Sequence, residues 1–419
     1  MPRQDPRTYI ADLHLHSKYA YATSKRLSLE GLSDWAKIKG IDLLSCADFT
    51  HPLWLDELLL GLVEDGTGLF EFNGVKFVLG SEVSCVYRQG DRGRRIHMLV
   101  FAPDFGTVEA LNRKLARHGN LASDGRPTLR LSARDLVECV LAVNPECLVI
   151  PAHIWTPWYG ILGSRSGFDS LEECFLDMAP HVCAVETGLS SDPAMNWDIC
   201  ELDGRTLVSF SDAHSLGNLG REATVFQGCL SYRGLAQALA TQGVAYTIEF
   251  YPEVGKYHFS GHRKCGVRQG ARETLDSAGR CPVCGRALTV GVMHRVAALS
   301  HCDAPGGLPE ALDAAGLIPS PRGRPSFMRL VPLVEIISQT LSSRTTSKRV
   351  QNEYFRLVDE LGSEFRIIVQ TSSGDLADVG GEDLAQAVMM VRAGRIRVDP
   401  GYDGVYGSVS LSPNGDYYV

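Results

Sequence analysis

No uninterrupted apolar run in this sequence is long enough to span a bilayer, and the opening stretch MPRQDPRTYI lacks the apolar segment of a secretory signal. A cytoplasmic protein with no membrane partner is therefore expected. Neither a GxxxxGK[ST] loop nor a GxGxxG turn occurs, which leaves nucleotide-driven motor activity without support. Positive charge is not in excess: 41 Lys and Arg stand against 49 Asp and Glu, a net of −8 at pH 7. That balance argues against indiscriminate nucleic-acid binding. A disulfide framework is not indicated either. Most of the 12 cysteines sit singly in apolar segments such as DLLSCAD and DLVECVLAV, where a thiol packs as a small apolar group.

What is present describes an ordinary globular chain, 419 residues long with 44% hydrophobic and 21% charged residues, enough for two or three domains. Residues 1 to about 250 alternate apolar strand-like runs (YIADLHL, IDLLSCA, VKFVLG, IHMLVFA, CLVIPA, CAVET, TLVSFS) with helical patterns, and Ser28 and Ser132 stand where helix N-caps belong. Such alternation predicts parallel strands, in an open sheet or a closed barrel.

In IADLHLHSKYA, Asp12, His14 and His16 occupy alternate positions and so share one face of an extended strand. Asp48 and His51 follow the second apolar run, Glu82 the third, His153 and Glu186 two later ones, and Asp212 and His214 the run LVSFS, while His97 lies within the fourth. A lone histidine is ordinarily a packed or surface residue. Six of the 12 histidines beside several carboxylates, on the face where a βα barrel builds its active site, point to metal. Imidazole and carboxylate without thiolate suit Mn²⁺, Mg²⁺, Fe²⁺ or catalytic Zn²⁺.

The ordered series DLHLHS, ADFTH, GSE, IHML, PAH and SDAHS resembles the polymerase and histidinol phosphatase (PHP) superfamily over roughly 250 residues. That resemblance implies a distorted (β/α)7 barrel holding two or three divalent ions (Mg, Mn or Zn) for phosphoester hydrolysis. Its ligands would be His14, His16, Glu82, His97, His153, Asp212 and His214, with Glu82, Asp212 and His214 in catalytic roles. The family's Asp-His pair is spaced here as DFTH, which makes Asp48 and His51 the corresponding ligand candidates. Further segments, among them ADFTHPLW, VETGLSSDPAMNW, GKYHFSGHRKCGV, CPVCGRALTVGVMHRV and PGYDGVYG, are similar to the endonuclease Q branch. This similarity implies a DNA repair endonuclease that cuts on the 5′ side of uracil, hypoxanthine, xanthine and abasic sites.

His262, Cys265, Cys281 and Cys284 form two knuckles of structural-zinc spacing, with His258 as a rival fourth ligand. A segment this short needs an ion to hold its fold. The expected division is a barrel over 1–250, a zinc-binding module over 251–304, and a helical C-terminal domain with a short β-rich tail over 305–419. Basic runs outside the barrel (Lys256, Arg263, Lys264, Arg268 and Arg272; Arg322, Arg324 and Arg329) offer surfaces for phosphates. Ser190, Ser191, Asn196 and Trp197, in the loop TGLSSDPAMNW, are candidates with Arg263 and Lys264 for substrate binding. The competing readings are a histidinol-phosphatase-like phosphomonoesterase, which leaves the zinc module and helical segment unexplained, and a non-catalytic DNA-binding scaffold, which leaves the ligand series unexplained.

Overall fold

The computed structural model describes residues 8–300, 312–313, 315–320 and 323–411; Arg322 and the expected boundary at residue 304 lie outside them. Ten strands position the site: β1 (Thr8–Asp12), β2 (Leu43–Ser45), β3 (Val75–Gln89), β4 (Arg92–Ala102), β5 (Leu148–Pro151), β6 (Ala184–Glu186), β7 (Thr206–Val208), β8 (Ala223–Gln227), β9 (Val244–Glu249) and β10 (Ser326–Arg329). The pairs β1–β2 and β2–β3 are parallel, as strands joined through helices require.

The fourth strand departs from the expected parallel order. β3 and β4 form a long antiparallel hairpin, from Leu79 opposite Ala102 to Gln89 opposite Arg92. Its turn is Gly90–Asp91, with Gly90 at φ 58°, the left-handed backbone that two-residue hairpin loops demand. Glu82 and His97 consequently lie within the hairpin, opposite Leu99 and Ser84, and not at strand ends. β4 pairs antiparallel with β5, which restores the original direction. The Ile154 amide donates to the Glu186 carbonyl (3.0 Å) and the His16 amide to the Ala213 carbonyl (3.1 Å). These bonds join β5 to the parallel pair β6–β7, and the chain beyond β7 back to the chain beyond β1.

One apolar cluster takes Ala11, Leu43, Val78, Leu99, Ile150, Ala184 and Val208 from β1 to β7 in turn, so the seven strands share an interior. Helices Leu29–Lys39 and Ala133–Leu141 pack outside and start at the expected caps: Ser28 accepts the Gly31 amide and Ser132 the Asp135 amide. Each such cap contributes about 1 kcal/mol.

The expected boundaries are crossed twice. β10, from the segment expected to be helical, pairs in parallel with β9, Tyr246 opposite Ser326. The antiparallel pair Arg397–Asp399 and Ser408–Ser410 contacts the Cys₃His segment through Arg268 and Asp399, 2.7 Å apart. The region between is helical, over Leu333–Thr340, Lys348–Leu361, Ser373–Gly380 and Glu382–Arg392. It docks on the helix Leu29–Lys39 through Lys39 and Glu364, a buried pair 2.7 Å apart. No helix among the described residues is long and apolar enough to cross a membrane.

Candidate metal centre

The end of β1 and the hairpin bring four ligand atoms together. His14 Nε2 lies 3.3 Å from Glu82 Oε2 and 3.5 Å from Asp212 Oδ1; His16 Nε2 is 3.2 Å from each of the same two oxygens. A second group shares Glu82: its Oε1 is 2.7 Å from His97 Nδ1 and 3.3 Å from His153 Nε2. His97 and His153 are themselves 3.2 Å apart. Glu82 thus belongs to both groups, one oxygen to each.

His14 Nε2, His16 Nε2, Glu82 Oε1 and Asp212 Oδ1 are all buried and none has a hydrogen-bond partner. Buried polar atoms are rarely left so. Three of them, His14 Nε2, His16 Nε2 and Asp212 Oδ1, converge on the first group and Glu82 Oε1 faces the second, an arrangement that fits divalent cations of the imidazole–carboxylate kind. The other ring nitrogens are occupied in the manner of metal-binding histidines. His14 Nδ1 contacts Glu186 at 2.9 and 3.0 Å, and His16 Nδ1 contacts Asp48 at 3.2 Å, which turns each Nε2 toward the group, where a metal would displace its proton.

The electrostatics agree. Burial opposes the charged form of His14, yet Glu186, Glu82 and Asp212 outweigh it and hold its pKa well above the usual histidine value. His16 shifts the same way against burial, through Asp48, Asp212 and Glu82. Burial also works against charge on Glu82, but His97, Arg126 and His14 pull its pKa well below the carboxylate range; His14 and His16 do the same for Asp212. His97 is lowered to about 4, chiefly by burial. A cavity this negative attracts protons and divalent cations to the same atoms, so metal occupancy falls as pH falls. Asp48, His153 and Asp212 have φ of 43°, 31° and 46°, a costly conformation for residues with a Cβ that concentrates at functional sites.

Several expected ligands are not gathered into either group. Asp48 accepts the Ser17 amide (2.6 Å) and hydroxyl (2.7 Å) as well as His16, so it orients a ligand. His51 heads the helix Pro52–Gly61 and stacks on Tyr19 at 4.5 Å, away from both groups. His214 packs edge-on against His16 at 4.6 Å, and its Nδ1–H donates to the Asp212 carbonyl at 2.9 Å, beside the first group and outside it. Asp12 accepts the Ser211 and Gly220 amides and ties loops together beneath the site. Among the described residues the barrel therefore offers two ligand groups, and no third.

Two participants were not singled out as ligands or partners from sequence. Glu186, visible there only as a strand-end acid, also accepts the His153 amide at 2.6 Å and so spans both groups. Replacing it with Gln keeps the shape and removes the charge that sets the His14 tautomer. Mn²⁺ affinity measured by titration calorimetry should fall roughly 10- to 100-fold, the usual effect of losing such a partner; unchanged affinity would make Glu186 a purely structural acid. Arg126, whose Nη1 is 3.1 Å from Glu82 Oε2, arrives on an irregular loop with no periodic signal.

A cavity of about 440 Å³ opens beside the groups, lined by His153, Asp212, Gly188, Leu189 and Ser190 from the barrel, Lys256 to His258 from the following segment, and Tyr406 from the tail. Of the expected substrate-binding residues only Ser190 reaches it. Ser191, Asn196 and Trp197 are turned into the core: Ser191 donates to the Thr187 carbonyl and Asn196 is held by Trp155, Ser191 and Asp192. Arg263 and Lys264 are exposed near the tail and do not line the cavity. The two knuckles do converge, with the ligand atoms of His262, Cys265, Cys281 and Cys284 all within 4.8 Å of one another, a group that could hold a metal ion. His258 is buried elsewhere, against the cavity, so His262 is the fourth member.

Comparison with known proteins places these features. Residues 332–395 match the MJ0043 C-terminal domain family. The uncharacterized protein YqxK of Bacillus subtilis is 28% identical over 423 residues, covering 95% of this chain and 98% of its own. The uncharacterized protein MJ0043 of Methanocaldococcus jannaschii is 29% identical over 269 residues, 62% of this chain, which spans only 31% of that protein. Among solved structures, the lesion-specific endonuclease PfuEndoQ of Pyrococcus furiosus superposes with a TM-score of 0.84 at 29% identity, covering 97% of this chain and 96% of the other. Endonuclease Q bound to a 27-mer duplex with an abasic lesion at its active site superposes with a TM-score of 0.83 at 29% identity, covering 97% of each chain. The chain has an endonuclease Q-like fold over 97% of its length.

Proposed function

We propose that this protein is a metal-dependent DNA repair endonuclease that hydrolyses the phosphodiester on the 5′ side of deaminated bases (uracil, hypoxanthine, xanthine) and of abasic sites. The carrying observation is one carboxylate, Glu82, shared between two buried ligand groups at the mouth of a cavity. We read strands β1 to β7 as a distorted (β/α)7 barrel of PHP type, and the Cys₃His group as a structural zinc site.

His14, His16, Glu82 and Asp212 would hold one divalent ion, and Glu82, His97 and His153 another. Ions there supply Lewis acidity to a phosphate and activation of a water. The chain's own residues do the positioning: Glu186 and Asp48 hold the imidazoles in register, and Arg126 beside Glu82 offers a guanidinium where phosphate charge would accumulate. Uracil, hypoxanthine and xanthine share a carbonyl next to a ring N–H, an edge a single pocket can read once the nucleotide has left the stack. Gly188 to Ser190 border the cavity and supply backbone groups for that edge.

Labelled duplexes carrying one deoxyuridine or one deoxyinosine, incubated with Mg²⁺ or Mn²⁺ and compared with a panel of phosphomonoesters, test the reading. A single nick 5′ to the lesion is expected. Monoester hydrolysis with intact DNA would turn it into a small-molecule phosphatase. A bulky side chain in place of Ser190, such as Ser190→Phe, should suppress uracil and hypoxanthine nicking ~10-fold or more beyond any loss at abasic sites, where no base needs the pocket. Equal loss on all three substrates would move base recognition elsewhere.

A further inference from the structure

Trp158, 38% exposed, borders the cavity beside the metal groups and also a separate groove of about 680 Å³. Arg88, Arg95, Arg130 and Arg165 line that groove and are exposed. In a chain of net charge −8, four arginines around one depression are not background composition. They arrive from three separate segments: the β3–β4 hairpin, the chain after the short strand Thr128–Leu129 that pairs with β3, and the loop after β5. Their neighbour Arg94 is buried and engaged with Gly167 and Glu173. Among the described residues no carboxylate stands within ion-pair distance of the other four; Arg88 donates to the Asp91 carbonyl.

The groove has aromatic support. The Arg165 guanidinium lies 5.8 Å from the Trp158 ring centre and that of Arg95 6.0 Å from Tyr159, contacts that present planar cations outward. It also has a direction. Arg95 and His97 are two residues apart on β4, hence on one face and about 7 Å apart. Strand register places Val86 opposite Arg95 and Gly93 opposite Arg88, so that face continues outward from the metal groups as His97, Arg95, Arg88. Gly93 leaves the outer floor open, with nothing within 4 Å of where a Cβ would stand. Tyr159, in turn, packs on His97 at 4.3 Å.

We infer that this groove is the track for the sugar–phosphate backbone on one flank of the lesion, with the arginines on successive phosphates and Trp158 at the junction with the cavity. The inference rests on the DNA reading above and adds where one flank lies. Its chemistry is that of guanidinium–phosphate pairing interleaved with an exposed ring, a combination suited to nucleic-acid backbone.

The test uses the full-length protein, a triple variant Arg95→Ala/Arg130→Ala/Arg165→Ala, the corresponding triple Lys variant, and Arg349→Ala, a change on an exposed helix away from the groove. Binding to an undamaged duplex, which needs no cutting, is followed by fluorescence anisotropy across salt concentrations. The Ala triple should bind roughly 10-fold or more weakly at 0.1 M salt, and its slope of log Kd against log salt should shrink by about 2 to 3, near 0.9 for each phosphate no longer neutralised. The Lys triple should keep most of the slope, and Arg349→Ala all of it. In single-turnover nicking of a uracil duplex, truncating one flank should raise the half-saturating concentration of wild type but not of the Ala triple, with maximal rates within a few-fold. An unchanged salt slope in the Ala triple would overturn the proposal. So would an equal loss in the Lys triple, or truncations that act on wild type and triple alike. Absence of nicking by wild type with the slope difference intact would instead overturn the endonuclease reading and leave the groove a nucleic-acid track.

Discussion

Glu82→Gln should reduce nicking of a uracil duplex by ~10³-fold or more, well beyond the roughly 10- to 100-fold typical of a residue that only orients a ligand. The substitution preserves shape and removes the one carboxylate common to both ligand groups, so both lose its negative charge and one of them an oxygen at once. Asp212→Asn touches one group only and should be the milder of the two. DNA affinity depends on basic residues elsewhere and should change by no more than a few-fold, still weakening with salt. Metal content after gel filtration is expected to fall along with activity. Arg126 loses its nearest anion in the variant, so thermal melting should be recorded beside the kinetics. Nicking at the wild-type rate would show that Glu82 is not a ligand and would remove the basis for the two-ion reading.

The second large effect concerns the knuckles. Cys281→Ser should release residues 256 to 300 from their fold while leaving the barrel intact, because this stretch has little apolar core: two short strands, Ser260–His262 and Val267–Gln269, and two short helices, Ala271–Asp276 and Val292–Leu299. Structural zinc contributes on the order of 10–16 kcal/mol in small zinc-finger peptides, comparable to the whole stability of many domains. The Cys281 thiol already has its pKa lowered to about 6; burial opposes the shift, and hydrogen bonds from the Cys284 and Val283 backbone and from the Cys284 and His262 side chains produce it. Hydrogen exchange should report rapid exchange confined to this stretch and to the tail that packs on it. Because Lys256, Tyr257, His258 and Val292 line the cavity, nicking should be lost and DNA binding weakened. If purified protein contains no zinc beyond the barrel's ions, or if the Ser variant retains its amide protection, the site is not structural zinc.

Much of the site was legible because metal chemistry leaves residue types that sequence order preserves. HxH, Glu82 and SDAH carried the reading only as members of an ordered series, whereas the paired knuckle spacing stood out by itself. What could not be read was orientation. Asp48 and Glu186 differ from Asp212 not in kind but in which atoms face them, and Asp48 is claimed by Ser17 before any cation. In TGLSSDPAMNW, Asp192 caps the helix Pro193–Trp197, and that single cap rotates Asn196 and Trp197 into the core. The parallel order expected for the strands failed at β4, reversed by the two-residue turn Gly90–Asp91, and again at β8, which runs antiparallel to both β1 and β9. The arginine groove was invisible for a related reason. Its members come from three segments, and meet because the β3–β4 hairpin extends past the site to meet the chain after Thr128–Leu129 and the loop after β5.

The parallel pairing of β10 with β9 also bears on how the polypeptide is made. When Glu249 leaves the ribosome, β9 has β8 on one side and nothing on the other. Its second neighbour is encoded some eighty residues later, after the whole stretch that carries the Cys₃His group. During that interval a row of unpaired backbone groups stays available to any other extended chain, the condition under which strands pair wrongly or aggregate. The faster the intervening stretch folds, the sooner Ser326 reaches Tyr246 and the shorter the time that this border of the sheet stays open.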